Sequence, residues 1–263
     1  MGDERTLSRR TVGRITAAAA SAGSVLLGGA FGAFSVDGDD GFDPVGENTP
    51  TVDLPPPTTD GTVSVEATIA DRRSRRTYTD EPLSKADLGQ LLWAAQGITA
   101  PHPDGVDFRT APSAGATYPL EVFVVVGNPG VEGVASGVYH HQRHAHRLEQ
   151  RRAGDFQGSL QAAGLDQDWI GDAAIDLVVT AIDARTTDRY GRRGRDRYVP
   201  MEAGHVGENL YLQAEARDLA TVAIGAFRDG AVRDLLGVSE DHRPLYIFPV
   251  GNRRGRKRQR RSG

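Results

Sequence analysis

Hydrophobic and polar positions repeat with two different periods along this chain, and the changes of period delimit its elements. Between 80 and 97, Leu88, Leu91, Leu92 and Ala95 recur at helical spacing. Ser84 stands at the cap with Asp87 three residues on, and Gly97 supplies the stop. Val65 and Ile69, with Glu66 and Asp71 between and after them, predict a short helix within 63–78 that runs out into a basic cluster. The runs LEVFVVVG from Leu120 and AIDLVVTAI over 174–182 are apolar without alternation and predict buried strands. GVYHHQRHAHRLEQ (137–150) alternates, turns and alternates again, which is the pattern of a hairpin. A short helix is expected in DFQGSLQAAG, and the longest one over 202–219, where Val206, Leu210 and Ala214 share a face. TVAIGAF (221–227) reads as strand then loop, GAVRDLLGV as a short helix and PLYIFPVG (244–251) as a last strand. Helices and strands mix without regular βαβ alternation, and no glycine cluster has dinucleotide-fold or Walker spacing.

Two stretches do not fit either period. Residues 109–119, RTAPSAGATYP, hold two prolines, one glycine, three alanines and three small hydroxyl residues. They are too punctuated for a helix and too poor in bulk for a core strand, so something must approach this backbone closely. The stretch 185–198, RTTDRYGRRGRDRY, contains six arginines and is expected to be a mobile loop near a cleft.

Composition changes the picture at the ends. Residues 1–36 start with the pair Arg9–Arg10 and continue as an uncharged Ala/Gly-rich stretch from Ile15 to Val36, which reads as a twin-arginine-type signal or anchor. Residues 37–61 are acidic and proline-rich and read as a linker, 62–253 as the folded domain, and 254–263 as a basic disordered tail. The formal charge of −4 divides into +2 over 1–36, +7 over 253–261 and −13 over 37–252. Cysteine is absent, which excludes disulfides, thiolate nucleophiles and cysteine metal sites. The expected location is extracytoplasmic or membrane-anchored if the leader is used, and cytoplasmic if it is not.

The chemistry begins at RRSRR (72–76). Four guanidinium groups and a hydroxyl in five residues repel one another unless an anion such as a phosphate joins them. RRSRRTYTDEPLSKADLGQLLWAAQGIT, RTAPSAGATYPLEVFVVV, GVYHH, RYVPMEAGHVGENLYLQAEA, TVAIGAF and PLYIFPVGNR follow in order. Together they resemble the nitroreductase superfamily, specifically its SagB-type dehydrogenase branch, from about Val63 to Arg253. The resemblance implies an α+β fold with a central, mostly antiparallel sheet flanked by helices. It also implies a homodimer, one FMN per protomer at the dimer interface, and hydride transfer through that flavin. It places Arg72, Arg73, Ser74 and Arg76 on the FMN phosphate and ribityl chain, with Arg75 facing outward and Arg253 closing the phosphate site. Pro112, Ser113, Ala114 and Gly115 would lie against the flavin from the partner chain, where a flat ring tolerates only small side chains. Ile224, Gly225 and Ala226 would face its reducible edge, and Gln167 would add a polar contact. Departures from the family pattern are Asp218 where a glycine-containing turn is usual, Glu208 where glutamine is expected, and Ala174 in place of a proline.

Azoline-oxidising members of this branch use a Lys-Tyr pair, and this chain has Arg197 and Tyr198 there. Arginine stays protonated, so Arg197 is a poor base, although it could bind an anionic substrate. The expected activity is an FMN-dependent oxidoreductase acting on a small-molecule or peptide-derived substrate, with NAD(P)H as a candidate reductant. The alternatives are a flavin-binding or flavin-processing protein without substrate turnover, and a polyanion-binding protein resting on the basic tail. No nucleic acid is expected as partner, because the tail lacks interleaved aromatics. Alternation would put His140, His144 and His146 on one side of the hairpin, where zinc is conceivable, but no metal is expected. His205 reads as a core residue.

Overall fold

The computed structural model describes residues 49–101 and 105–255. Residues 1–48, which hold the expected leader and the first part of the acidic segment, and residues 102–104 and 256–263 lie outside the described residues.

The elements follow in the order β1 (Thr51–Asp53), α1 (Val65–Asp71), α2 (Lys85–Gln96), β2 (Ile98–Ala100), β3 (Phe108–Arg109) and β4 (Leu120–Val126). Next come β5 (Gly137–Gln142), β6 (Arg147–Ala153), α3 (Gln157–Ala163), α4 (Asp168–Gly171), β7 (Ile175–Ile182) and α5 (Ala184–Tyr190). A π-helical turn, Gly194–Tyr198, leads into α6 (Val199–Ala216), then β8 (Leu219–Thr221), α7 (Asp229–Leu236) and β9 (His242–Asn252). Seven strands form one sheet in the order β1-β6-β5-β4-β7-β9-β8, and every pairing in it is antiparallel.

Helices cover both faces, and the strands at the centre show why those runs carry no polar alternation. On β4, Leu120, Val122, Val124 and Val126 pack with Leu88, Leu91 and Leu92 of α2 and Val206, Leu210 and Ala214 of α6. Phe123 and Val125 point the other way, to Leu160 of α3 and Val232, Leu235 and Leu236 of α7. A strand with both faces buried is apolar on both, and the buried Glu121 and Asp176 are the charged exceptions on β4 and β7. The α2 cap forms as expected: Ser84 Oγ accepts the Asp87 amide at 3.1 Å and donates to the Asp87 carboxylate at 2.5 Å.

Three sequence expectations are revised. The acidic segment is not all linker, since β1 adds an edge strand to β6 and Leu54 is buried. The Thr58 amide and carbonyl also bond the Gln90 side chain. The arginine-rich stretch 185–198 is helical rather than loop: Thr186 is buried and Arg192 pairs with Asp196 one turn on. The long helix starts at Val199, three residues earlier than the apolar stripe implied, with Pro200 in its first turn. Asp218, in the position where glycine is usual, adopts φ 58° and makes the left-handed turn itself. Among the described residues no helix is long and apolar enough to cross a membrane.

Candidate functional site

The basic segment leaves α1 at Arg72 and runs extended beside the end of β9. The Arg75 amide donates to Thr221 O, and Tyr78 bridges Arg253. This registration puts Ser74, Arg75, Arg76, Arg253 and Arg254 around one open recess of ≈ 320 Å³. Glu215 of α6, 5 % exposed, holds the cluster together. Its Oε2 accepts from Arg75 Nη2 at 3.2 Å and its Oε1 from Arg253 Nη1 at 3.3 Å; Asp218 lies 3.5 Å from the latter. Arg75 is therefore the inward clamp and not the outward residue expected, because the buried carboxylate needs a cation. Arg72 lies over the Tyr211 ring and Arg76 over the Trp169 ring, each 5.1 Å from the centroid. Tyr211 OH accepts the Ala223 amide at 2.8 Å and meets Ser74 Oγ at 2.9 Å. Arg73 is exposed and bonds the carbonyls of Ala70 and Arg72.

The small-residue loop is built differently. Ala114–Ala116 make a single tight turn, with Gly115 at φ 63°, Ala116 at φ 54° and Tyr118 at φ 44°. Such a run of left-handed conformations in non-glycine residues is strained, and its surroundings must impose it. Ser113 Oγ accepts the Tyr118 amide at 2.9 Å. Arg189 Nη1 donates to Gly115 O at 3.2 Å, and Thr117 Oγ1 meets Thr186 Oγ1 at 2.8 Å. A Cβ on Gly115 would run into the Tyr190 hydroxyl and lie 2.8 Å from Arg189 Nη1. Within this chain, then, α5 is what approaches the small residues. Pro112 stays exposed beside them.

Beneath the loop lies a buried charge network. Glu202, on the same stripe of α6 as Val206 and Leu210, is 2 % exposed. Burial pushes its carboxyl up to about 7, against the Ser113 hydrogen bond, the Arg109 charge and Gln96. Arg109 donates to Gln96 Oε1 at 2.9 Å and lies 4.0 Å over the Tyr118 ring. Burial and then the nearby Arg143 pull its guanidinium down to about 9. Burial would raise Glu121, but Arg143, His140 and Arg185 together hold it well below the usual carboxylate range. Arg185 Nη1 reaches it at 2.6 Å.

Tyr198 is half-buried; its hydroxyl accepts from Arg193 Nε at 2.9 Å and its ring meets Tyr190 edge to face at 5.1 Å. Tyr190 thus links Tyr198 to the Gly115 loop. Arg197 is exposed. In the third segment, Ile224 is buried and pairs with Ile247, which leaves Gly225 and Ala226 exposed with open space over Gly225. The Gln167 amide donates to Gly164 O at 2.7 Å and Ala226 O at 3.0 Å, so it fixes this loop from α4's entrance.

The structure therefore joins Ser74, Arg76 and Arg253, joins Gln167 to Ala226, and links Tyr198 to Gly115 through Tyr190. The lining of the arginine recess does not include Pro112–Gly115. The histidines separate: His140 binds Glu121, His141 meets His146 on the opposite face, and His144 faces Asp107. His205 is exposed rather than core, and Glu208 is exposed too. Sequence reading missed Glu202, Glu215 and Tyr211. The first had a signal, a carboxylate on an otherwise apolar helical stripe.

The nitroreductase family model matches residues 69–252, which include the Ser74–Thr77 side of the recess, the loop and the Ile224–Ala226 turn. The chain belongs to the nitroreductase family. It is 41 % identical over 191 residues to the Methanocaldococcus jannaschii protein named nitroreductase MJ1384, covering 73 % of this chain and 92 % of that one. It is 23 % identical over 194 residues to the trifolitoxin operon protein TfxC of Rhizobium leguminosarum, covering 70 % of this chain and 54 % of TfxC. Among solved structures, a Ralstonia eutropha nitroreductase superposes with TM-score 0.67 at 28 % identity, over 81 % of this chain and 93 % of that one. The Escherichia coli microcin synthetase McbBCD, solved with truncated pro-MccB17 bound, shares the fold at TM-score 0.59 and 24 % identity, over 80 % of each chain.

Nitroreductases are typically flavin-dependent oxidoreductases. The residues present fit an FMN phosphate: the recess is bordered by guanidinium groups and Ser74. Arg75 Nε, Tyr78 OH, Trp169 Nε1 and Thr221 Oγ1 are buried nearby without hydrogen-bond partners among the described residues. The exposed Gly225, with nothing within 4 Å of where a Cβ would stand, fits close approach of a ring edge.

Proposed function

We propose that this nitroreductase is an FMN-dependent oxidoreductase of the SagB-type branch, acting as a homodimer. The observation that carries the reading is the recess of Ser74, Arg76 and Arg253 fixed by Glu215. Glu215 and Asp218 hold Arg75 and Arg253, and the charges of Arg76 and Arg254 remain at the recess, which suits a dianion. FMN bound there supplies reversible hydride acceptance and release. The chain's own contributions are local: the arginines hold the phosphate, Gly225 and Ala226 offer backbone to the ring edge, and Gln167 holds that backbone in place. The loop Pro112–Gly115 would cover the flavin of the partner. Exposed Val65 (62 %), Ile69 (57 %) and Met201 (49 %) give an apolar surface for the second copy.

The substrate reading leans on Tyr198 with Arg197 beside it, on the TfxC relative and on the shared fold with a peptide-bound synthetase. A peptide-derived substrate is proposed on these grounds, and a small electrophile is the second reading, favoured by the MJ1384 similarity. NAD(P)H is the proposed reductant. The leader at 1–36 supports export, with the folded, flavin-loaded protein as cargo. The test is anaerobic: purified protein mixed with FMN should bleach at its visible absorption band on adding NADPH and recover on adding a nitroaromatic. Bound FMN that never bleaches with any reductant would leave a flavin-binding protein instead.

A further inference from the structure

The expected Lys-Tyr pair is Arg197–Tyr198 in this chain, and an exposed guanidinium cannot take or give a proton near neutrality. The structure contains a better group. Glu202 lies one helical turn beyond Tyr198, on the same side of the helix. Its carboxyl is 2 % exposed, and its Oε1 has no hydrogen-bond partner among the described residues. Three other elements meet it: Ser113 from the small-residue loop, Gln96 from α2 and Arg109 of β3. Arg109 commits Nη1 to Gln96 and stacks on Tyr118, so it stabilises a Glu202 charge from a distance without pairing it away. Ser113, half-buried and hydrogen-bonded to Glu202, is the side chain through which the carboxyl reaches the Pro112–Gly115 surface.

We propose that Glu202 is the proton-holding residue of this site, exchanging its proton through the Ser113 hydroxyl. The inference rests on the flavin reading. A dihydronicotinamide that delivers hydride passes on two electrons and one hydrogen nucleus and leaves as the oxidised nicotinamidium cation. The site then carries one negative charge and is one proton short of neutral. Ser113 Oγ releases its proton to the site and takes the one on Glu202, which becomes a carboxylate facing Arg109. The reverse transfer restores both groups when the acceptor removes hydride. Glu202 is therefore a positioning residue that acts through Ser113, with a carboxyl that burial already tunes toward neutral pH.

The test uses the full chain with and without FMN. Infrared difference spectra of the FMN-free protein should show a carboxylic-acid carbonyl band that disappears between about pH 6 and 8 and is missing in Glu202→Gln. With FMN bound, the rate of bleaching by NADPH should have an inflection near neutral pH. Glu202→Gln should remove that inflection and slow the reaction about tenfold or more at pH 7. Ser113→Ala should keep the infrared band but lose the inflection, which guards against a variant that fails to fold. A titrating band that survives Glu202→Gln, or an unchanged pH profile in both variants, overturns the proposal. Refusal of FMN overturns the flavin reading, and the infrared band still decides whether Glu202 holds the proton.

Discussion

The arginine recess and the small-residue loop are prepared in opposite ways. The recess is electrostatic: exposed or half-exposed guanidiniums gathered by one buried carboxylate, Glu215, with Tyr211 tying Ser74 to the β8 side. The loop is conformational: three residues at positive φ, held by α5 from one side and by Ser113 bonded to Glu202 from the other. A charge cluster can be loosened by salt and reassembled, whereas a strained loop either keeps its backbone or loses its shape. The first suits an anion of fixed charge, and the second suits a flat surface with strict distance requirements.

Removing the clamp should separate the two regions most sharply. Glu215→Ala leaves Arg75 and Arg253 without their buried partner and should cost about 3 kcal/mol in denaturant unfolding. FMN affinity should fall by about two orders of magnitude with it, while α5 and the loop keep their hydrogen-exchange protection. A stable variant with normal FMN affinity would show that the recess does not need the clamp.

The carboxyl under the loop gives the next largest effect, and its sign is set by linkage. Glu202 keeps its proton in the folded state up to about pH 7, whereas the unfolded chain releases it near pH 4.3. The folded state binds more protons in that window, so this group's contribution to stability falls as pH rises through it and is level above. Relative to wild type, Glu202→Gln should therefore gain about 3 kcal/mol between pH 4 and pH 8. A difference that stays constant with pH in paired urea titrations would contradict the assigned shift.

Gly115→Val probes the loop's backbone directly. The tips of Tyr190 and Arg189 can move aside, but a β-branched residue at φ 63° cannot relax, so a loss of about 2 kcal/mol is expected. FMN retention should drop in the same variant, measured by fluorescence of released flavin. Arg197→Ala should be the mildest change, within about 0.5 kcal/mol in stability because the side chain is exposed. Any larger effect would be confined to the KM of an anionic acceptor.

The same contrast explains what the sequence made legible. Apolar spacing gave α2 with its Ser84 cap, both central strands and the buried face of α6, because burial is written directly into residue type. The RRSRR cluster was legible because like charges demand a partner, whereas Arg253 was joined to it only through the family resemblance. Arg75 was misplaced because its partner, Glu215, lies more than a hundred residues away on another element. The stretch 185–198 looked like a loop through its glycines and charges, yet tertiary contacts of Thr186, Arg185 and Arg189 make it helical. Positive φ at Ala116 and Tyr118 is imposed by those contacts and leaves no trace in residue type. Glu202 was written in the sequence as a carboxylate on an apolar stripe, but its role needed the fold to bring Ser113 against it.

The most direct measurement is a titration of the flavin-free protein with FMN, followed by flavin fluorescence, beside the same titration of Arg76→Ala. The account predicts saturable binding at one FMN per chain in the wild type and at least about tenfold weaker binding in the variant, with the gap narrowing in high salt. No binding in the wild type, or equal binding in both, would contradict it.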